Sequence, residues 1–330
     1  MQEIIANDNQ AGQRLDKLLH KVLPEASTSF LCKMLRKKNI VLNDKKAEGK
    51  EMLIFGDSIK IYLADETYQK FGGIILGTRE VSGNEYEKAY SQIKGIEIVY
   101  EDAHVLICNK PSGVLSQKAQ EDDISINEWF IGYLLANQKI KKEELVLFKP
   151  SICNRLDRNT SGLLLCGKSL LGIQTLNKWV KDRDIRKFYR LFVVGDMTKA
   201  EHIKGYLKKD EKTNKVVVSS EYMDGYDEIE TKYTPLEQIG GITYVEVELI
   251  TGKTHQIRAH LSSVGHPLLG DYKYGNKKIN DKFKQIYGIK DQMLHAYRLE
   301  FPLHEIEQLK DVSQRIVIAK EPEIFREVRG

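Results

Sequence analysis

One carboxylate in this 330-residue chain has neighbours that suit chemistry. Residues 152–165 read Ile-Cys-Asn-Arg-Leu-Asp-Arg-Asn-Thr-Ser-Gly-Leu-Leu-Leu, so Asp157 lies between Arg155 and Arg158 and ahead of a Thr-Ser-Gly turn. Neighbouring cations favour the ionised form of a carboxyl group, and the turn predicts a place near the end of a buried strand. An ionised aspartate held there can act as a nucleophile or a base. In an isolated Arg-x-Asp sequence, however, a structural salt bridge is the commoner role.

A second polar segment follows an apolar strand. Residues 251–258 read Thr-Gly-Lys-Thr-His-Gln-Ile-Arg. We expect Thr254 to cap a helix here, because threonine hydroxyls accept hydrogen bonds from the first N–H groups of helices. His255 and Gln256 then lie in the first helical turn, and Arg258 projects further along the helix. Taken alone, Arg258 is expected to be a surface cation.

Tyr189 lies on a strand predicted over residues 185–194. Side chains alternate across a strand, so Tyr189, Leu191 and Val193 share one face. Taken alone, a tyrosine at such a position is expected to belong to the core.

The remaining pattern supplies the elements that position these groups. Apolar residues at helical spacing indicate one helix within residues 14–23 and a second that Ser27 or Thr28 can cap. Further helices are expected after the capping-box pair Ser125 and Glu128 and after Ser169. Strands are expected near residues 40–46, 56–61, 96–100, 105–108, 163–166 and 244–250.

Composition indicates a soluble globular protein, with 41% hydrophobic and 30% charged residues. The length suits two domains with a sizeable core. We expect a cytoplasmic protein without a membrane partner, because the sequence contains neither a run of 18 apolar residues nor a signal-peptide pattern at its start. The four cysteines form no Cys-x-x-Cys pair, and the histidines at 255, 260, 266 and 295 lack metal-site spacing. Reduced thiols and no metal are therefore expected.

Positive charge is concentrated near the N-terminus. Residues 12–62 contain 11 Lys/Arg against 6 Asp/Glu, whereas the rest of the chain contains 40 against 41. Arg14 and Lys17 lie at the first predicted helix, and Lys33, Arg36 and Lys37 share one face of the second. Such a face is usually only solvated. Here the order helix, helix and short strands resembles the S4-type RNA-binding module, which implies phosphate contacts by these cations.

After this module the regular spacing of apolar residues is lost, and it returns near residue 95. We therefore divide the chain into an S4-like RNA-binding domain at 1–63, a linker at 64–94 with room for one short helix, and a catalytic domain at 95–330.

Five motifs occur in order along the second half. They read NKPSG at 109–113, NRLDRNTSGLLL at 154–165, RKFYRLFVVG at 186–195, TGKTHQIRAHL at 251–261 and GHPLLGDYKYG at 265–275. Together they resemble the RluA-type pseudouridine synthases, and the S4-like module makes the chain similar to the branch that modifies large-subunit ribosomal RNA. The resemblance implies an α+β fold with a mixed, largely antiparallel central sheet flanked by helices. It also implies an RNA partner, a monomer, and neither a cofactor nor a bound nucleotide.

The resemblance also implies roles for single residues. Asp157 would act at the ribose C1′ of uridine, either by attacking C1′ or by taking a proton from the sugar. Arg258 would pair with Asp157, and Tyr189 would stack on uracil and serve proton transfer at C5. Arg155 would fill the gap that the flipped nucleotide leaves. The candidate RNA-binding residues are Arg155, Asn154, Thr160, His255, Gln256, Arg14, Lys17, Lys33, Arg36 and Lys37.

Two positions depart from the family's pattern. Many members have histidine where this chain has Asn154, and asparagine cannot titrate near neutral pH, which argues against a proton relay there. Lys253 replaces a commoner arginine and so lacks a bidentate donor for phosphate.

Two other functions fit parts of the pattern. A non-catalytic rRNA-binding or ribosome-assembly factor could use the same fold. A glycosidase-like hydrolase would also act at C1′ with a carboxylate, but such enzymes usually need a second acid, which none of the motifs supplies.

Overall fold

The computed structural model describes residues 1–73, 84–210, 213 and 215–330. The helices are α1 Leu15–Val22, α2 Thr28–Arg36, α3 Asp65–Lys70, α4 Asn84–Gln92, α5 Ile126–Ala136, α6 Leu170–Asp182, α7 Gln256–Ser263, α8 Lys277–Tyr287 and α9 Glu323–Arg329. The strands are β1 Gln2–Ile5, β2 Ile40–Leu42, β3 Lys45–Lys46, β4 Ser58–Ile61, β5 Glu97–Glu101, β6 Val105–Lys110, β7 Ser151–Ile152, β8 Ser161–Gly167, β9 Arg186–Val194, β10 Glu201–Asp210, β11 Lys215–Ser219, β12 Asp227–Ile239, β13 Ile242–Leu249, β14 Leu294–Glu300 and β15 Ile316–Ile318.

The N-terminal region contains two helices and a small sheet. Its four strands are antiparallel and lie in the order β1-β4-β2-β3. The apolar residues of α1, which recur at helical spacing, are all buried. Ser27 is the residue that caps α2, because its Oγ accepts a hydrogen bond from the N–H of Phe30 at 3.2 Å. The predicted helices and the strand near 56–61 are therefore confirmed. The single strand expected near 40–46 is the antiparallel pair β2 and β3, and β1 was not predicted.

The predicted linker at 64–94 contains two helices in its described part, not one. Its residues 74–83 lie outside the described part of the chain. Helix α4 is amphipathic, and its Tyr86 and Ala89 are buried in the same apolar core as Trp129 and Phe130 of α5. This half of the predicted linker is thus packed against the large sheet's core.

A large sheet of eleven strands forms the centre of the remaining chain. Its main path runs β11-β10-β12-β13-β9-β14-β8-β6-β5, with β15 paired to β14 and β7 paired to β8. Among the described strands, the β14–β8 pair is parallel and the other pairs are antiparallel. Helices flank the sheet. The prediction of a mixed, largely antiparallel sheet with flanking helices is confirmed.

The parallel pairing of β8 with β14 depends on a glycine at the end of the Asp157 loop. Gly162 has a φ of +114° and lies opposite Ala296 in the register. A Cβ at this position would lie 2.3 Å from the carbonyl oxygen of Ala296. Only glycine combines this φ with so close an approach of two backbones, so the Thr-Ser-Gly turn is needed to join the loop to the sheet.

Strand β9 has two different faces, as its alternation predicts. Tyr189, Leu191 and Val193 belong to the core shared with α5 and α7, whereas Phe192 packs in a second core with residues of α8 and α9. The expected core position of Tyr189 is confirmed, although its side chain also lines a cleft.

The predicted start of α7 is wrong by one residue. Thr254 does not cap the helix; the residue before its first turn is His255, which has a left-handed φ of 54° and no side-chain capping bond. The left-handed backbone is unfavourable for a residue with a Cβ, and such conformations are often found at functional sites.

In the described part of the chain, no helix combines the length and apolar character needed to cross a membrane. The cysteines are free thiols; Cys32 is exposed, and the other three are buried.

Candidate active site

The loop that carries Asp157 joins β7 to β8. Side chains from elsewhere in the chain hold it through hydrogen bonds to its backbone groups. Ser116 Oγ accepts from the N–H of Leu156 at 2.9 Å and donates to its carbonyl oxygen at 2.8 Å. Lys110 Nζ, with no exposed surface, donates to the carbonyl oxygens of Pro111, Val114 and Arg158. Because these contacts come from the NKPSG segment and the residues just after it, the loop has one defined shape.

Burial lowers the pKa of Lys110 to about 8, while the charge of Asp157 acts in the opposite direction. Three carbonyl acceptors use all three donors of an ammonium group. Lys110 therefore supplies positive charge beneath the loop and holds it in place.

Arg258 joins Asp157 to a second, fully buried carboxylate. Its Nη1 donates to Asp157 Oδ2 at 2.8 Å, and its Nε and Nη2 donate to the two oxygens of Asp271 at 2.7 and 3.0 Å. The side chains of Arg258 and Asp271 are 8% and 0% exposed, whereas that of Asp157 is 27% exposed. The guanidinium is thus fixed on one side, and its third nitrogen orients the aspartate that reaches the cleft.

The charges of this arrangement stabilise one another. Burial alone would lower the pKa of Arg258, but Asp271 and Asp157 raise it above its usual range. Burial alone would raise the pKa of Asp271, but the guanidinium and the N–H groups of Lys273 and Tyr274 lower it. Asp157 Oδ1 accepts no hydrogen bond from the described residues, so one carboxylate oxygen is left for a substrate.

Tyr189 lies beside Asp157 and is 7% exposed. Burial, followed by the charge of Asp157, raises the pKa of its hydroxyl. The side chain is therefore a neutral phenol at physiological pH, able to stack or to donate a hydrogen bond.

His255 also lies close to Asp157. Its Nε2 is 3.9 Å from Asp157 Oδ2, and its Nδ1 is 2.9 Å from the hydroxyl of Tyr274. Burial lowers the pKa of His255, since the opposing effect of Asp157 is smaller. A neutral imidazole is thus the favoured form at neutral pH.

Gln256 has no free group to offer a ligand. Its Oε1 accepts from the hydroxyl of Thr251 and the N–H of Lys253, and its Nε2 donates to Glu230 O and the hydroxyl of Thr231. All four hydrogen-bonding positions of the amide are occupied within the protein. Gln256 is expected to bind RNA directly; in this structure its side chain joins the turn before α7 to β12.

Asn154 and Thr160 also make contacts within the protein. Asn154 Oδ1 accepts from the N–H of Leu165 at 2.7 Å, which ties the loop to β8. Thr160 is 2% exposed, and its hydroxyl accepts from Gln292 Nε2 at 3.4 Å. Both residues line the cleft, but these side-chain oxygens serve the loop's own structure.

The cleft around Asp157 has a volume of about 900 Å³ and is strongly positive. Among the described residues that line the cleft, one is acidic, Asp157, and eight are lysine or arginine. Arg155 and Arg158 are exposed and form no ion pair with Asp157. The local Arg-x-Asp salt bridge is therefore absent, and the distant Arg258 takes that place.

The cations predicted for the N-terminal region are all exposed. Arg14 pairs with Asp16, whereas Lys17, Lys33 and Lys37 form no ion pair with a described residue. Arg36 Nε makes a long hydrogen bond of 3.4 Å to its own helix.

Three residues that shape the site were missed in the sequence: Lys110, Ser116 and Asp271. Lys110 and Asp271 lie inside the NKPSG and GHPLLGDYKYG motifs, so the signal was the motif itself. No pattern pointed to Ser116.

The chain matches a family model described as RNA pseudouridylate synthase over residues 104–263, a range that includes Asp157, Tyr189 and Arg258. The ribosomal large subunit pseudouridine synthase D of Neisseria meningitidis serogroup A is 30% identical over 88% of this chain and 72% of its own. The synthase C of Buchnera aphidicola subsp. Baizongia pistaciae is 30% identical over 89% and 87%, and that of Vibrio cholerae serotype O1 is 28% identical over 91% and 89%.

A solved structure shares the fold. Human RNA pseudouridylate synthase domain containing 4 covers 74% of this chain and 95% of its own with a TM-score of 0.56 at 21% identity. The chain belongs to the RNA pseudouridine synthase family. Within that family it is of the RluA type, an isomerase that acts on uridine in RNA.

Proposed function

We propose that this enzyme converts uridines of large-subunit ribosomal RNA to pseudouridine, as a cytoplasmic monomer. The names of the relatives from Neisseria, Buchnera and Vibrio support this choice of RNA. The catalytic unit comprises residues 95–330, and the S4-like unit at 1–63 binds folded RNA through its exposed cations.

Asp157 is the catalytic group in this proposal. The observation that carries it is the asymmetry of its carboxylate: Oδ2 is bound by Arg258, Oδ1 accepts no hydrogen bond from a described residue, and the partly exposed side chain lines the cleft. An open, ionised oxygen can attack C1′ of the ribose or take a proton from the sugar. In either route the N1–C1′ bond breaks, the uracil turns, a C5–C1′ bond forms, the C5 proton leaves and N1 gains a proton. The reaction involves no net oxidation or reduction.

Tyr189 acts on the base. Its ring stacks on uracil at the buried end of the cleft, and its hydroxyl serves the C5 proton at the end of the reaction. The raised pKa of the phenol disfavours its anion while Asp157 is charged. Burial is the larger cause of the raised pKa and the charge of Asp157 the smaller, so loss of the phenolic proton becomes easier once Asp157 is protonated or covalently occupied.

Arg155 is exposed at the mouth of the cleft and can enter the gap that the target nucleotide leaves. Removing a base from a stack requires a few kcal/mol, which such an insertion offsets. His255, whose imidazole faces Asp157 and Tyr274, contacts the flipped nucleotide.

Pseudouridine mapping tests the choice of RNA. Ribosomal and transfer RNA from cells with the gene, without it, and with an Asp157→Ala copy are compared at single-nucleotide resolution. The proposal predicts at least one large-subunit rRNA position that is modified only in the first strain. If all large-subunit positions persist in the strain without the gene, the proposed substrate is wrong.

A further inference from the structure

A buried lysine lines the cleft at a place that the proposed reaction does not use. Lys187 lies on β9 two residues before Tyr189, on the same face of the strand. It is 8% exposed and belongs to the lining of the cleft around Asp157.

The ammonium group of Lys187 makes no hydrogen bond or ion pair with any described residue. Other cations of the cleft differ: Lys118 and Lys253 form ion pairs with Glu85 and Asp227, and Arg155 is exposed. Burial and the positive charge of Arg183 both lower the pKa of Lys187. No nearby negative charge offsets these two effects.

The backbone at Gly252 lies close to the head group of Lys187. Gly252 follows β13 in the segment before α7, and Nζ of Lys187 lies 3.6 Å from where a Cβ on Gly252 would be. A Cβ there would be in ordinary van der Waals contact with Nζ, so the ammonium group lies against the backbone between β13 and α7, beside other residues that line the cleft.

A buried cation without a partner is unfavourable, because the loss of hydration is not offset by a nearby charge. An anion that enters the cleft removes this penalty. Of the parts of a uridine in RNA, the uracil and the ribose are neutral, and only the phosphodiesters carry charge. The chemistry of the substrate therefore identifies the anion that Lys187 can bind.

We propose that Lys187 binds a phosphodiester adjacent to the target uridine and so positions the nucleotide backbone along the strand that carries Tyr189. This inference rests on the proposed function, because it assumes that RNA enters the cleft around Asp157. Lys187 is a binding residue here, and the bond-breaking steps remain with Asp157.

The test compares Lys187→Met with Lys282→Met, which removes the same charge from an exposed site on α8. Binding of large-subunit rRNA from cells lacking the gene, and kcat/KM for its modification, are measured over a range of salt concentrations. For Lys187→Met we expect kcat/KM to fall about 10-fold or more, because the variant cannot make a charged hydrogen bond to the phosphate. We expect kcat to stay within about 3-fold, and the slope of log K against log salt to shrink by roughly 0.7.

Thermal unfolding separates binding from a structural role. Methionine replaces a buried, uncompensated charge with an apolar chain of similar length, so Lys187→Met should unfold at the same temperature as the wild type or higher. A lower unfolding temperature, an unchanged salt slope, or an equal loss in kcat and kcat/KM would each overturn the inference. The Lys282→Met control should match the wild type throughout.

A synthetic RNA around the mapped uridine identifies the phosphodiester that Lys187 binds. One phosphodiester at a time is replaced by a neutral methylphosphonate. At one linkage beside the target, the wild type should lose affinity and Lys187→Met should lose none further. If both proteins lose affinity equally at every linkage, Lys187 does not bind the backbone. If the wild type modifies no ribosomal RNA at all, the proposed function fails instead.

Discussion

Asp271 holds Arg258 through two hydrogen bonds, 2.7 Å to Nε and 3.0 Å to Nη2, and has no exposed side-chain surface. The pairing fixes the plane of the guanidinium, so that Nη1 meets Asp157 at 2.8 Å. The aspartate proposed to react is therefore oriented by a residue that lies 114 positions later in the chain.

Asp271→Asn should lower kcat about 100-fold while KM changes less than about 3-fold. Asparagine keeps the shape but turns one acceptor into a donor that faces an N–H of Arg258, and small displacements of a reacting group have effects of this size. Steady-state kinetics on rRNA lacking the modification measure both constants. Asp182→Asn, on the exposed end of α6, is the control. An Asp271→Asn enzyme with the kcat of the wild type would show that the orientation of Arg258 is unimportant.

The fold was predictable where a pattern has one physical cause. Apolar spacing identified α1, capping serines identified the starts of α2, α5 and α6, and alternation assigned the faces of β9. The strands β10 to β12 were missed because their exposed residues and mixed charges show no clear alternation. Strand β14 is buried or half-buried throughout and was missed because its sequence, Leu-His-Ala-Tyr-Arg-Leu-Glu, mixes polar and apolar residues on both faces.

The sequence predicted which motif residues belong to the site, but it did not predict the contacts that these residues make. The spacing of the motifs brought Asp157, Tyr189 and Arg258 to attention, and the structure brings these three together. Gln256 was expected to face RNA, yet its amide is bonded to its own turn and to β12. Whether a polar side chain points to solvent or into a turn depends on tertiary contacts that the sequence does not display.

Gly162→Ala should prevent folding of the catalytic region or lower its stability severely. The new Cβ would lie 2.3 Å from Ala296 O at a φ of +114°, so both the backbone and the β8–β14 pairing must move. Strain in such a backbone region alone is about 1–3 kcal/mol. Soluble yield and chemical denaturation measure the effect, and Gly240→Ala provides a control at another positive φ with open space around it. A Gly162→Ala protein as stable as that control would contradict the role given to the close approach.

Two buried histidines predict a loss of stability in mild acid. Burial lowers the pKa of both His260 and His295 to about 4, so below pH 6.5 the unfolded chain binds protons that the folded protein does not. Each histidine should lower the free energy of unfolding by about 1.4 kcal/mol per pH unit as the pH falls from 6.5 toward 4.

Urea denaturation at pH 7, 6 and 5 checks this prediction. His260→Gln should reduce the slope of the free energy of unfolding against pH by about 1.4 kcal/mol per pH unit, which corresponds to about one proton. The slope that His295 causes should remain. Equal slopes for the wild type and the variant would mean that His260 takes up its proton in the folded state.

The exposed face of α2 should contribute to RNA affinity. Replacing Lys33, Arg36 and Lys37 with glutamine removes cations that could bind phosphates, so affinity should weaken and its salt slope should shrink by roughly 0.7 for each phosphate no longer neutralised. The same change at Lys277, Lys278 and Lys282 of α8 is the control. If the two triple variants have identical slopes, the α2 face is only solvated.

The most direct test of the central claim is tritium release from ribosomal RNA labelled at C5 of uridine, because pseudouridine formation must expel the hydrogen at that carbon. The wild-type enzyme should release tritium in proportion to the pseudouridine formed. Asp157→Asn, which keeps the size and the hydrogen bond from Arg258 but removes the charge, should release none above background while still binding the RNA. Release by Asp157→Asn at the wild-type rate would contradict the assignment of Asp157 as the catalytic group.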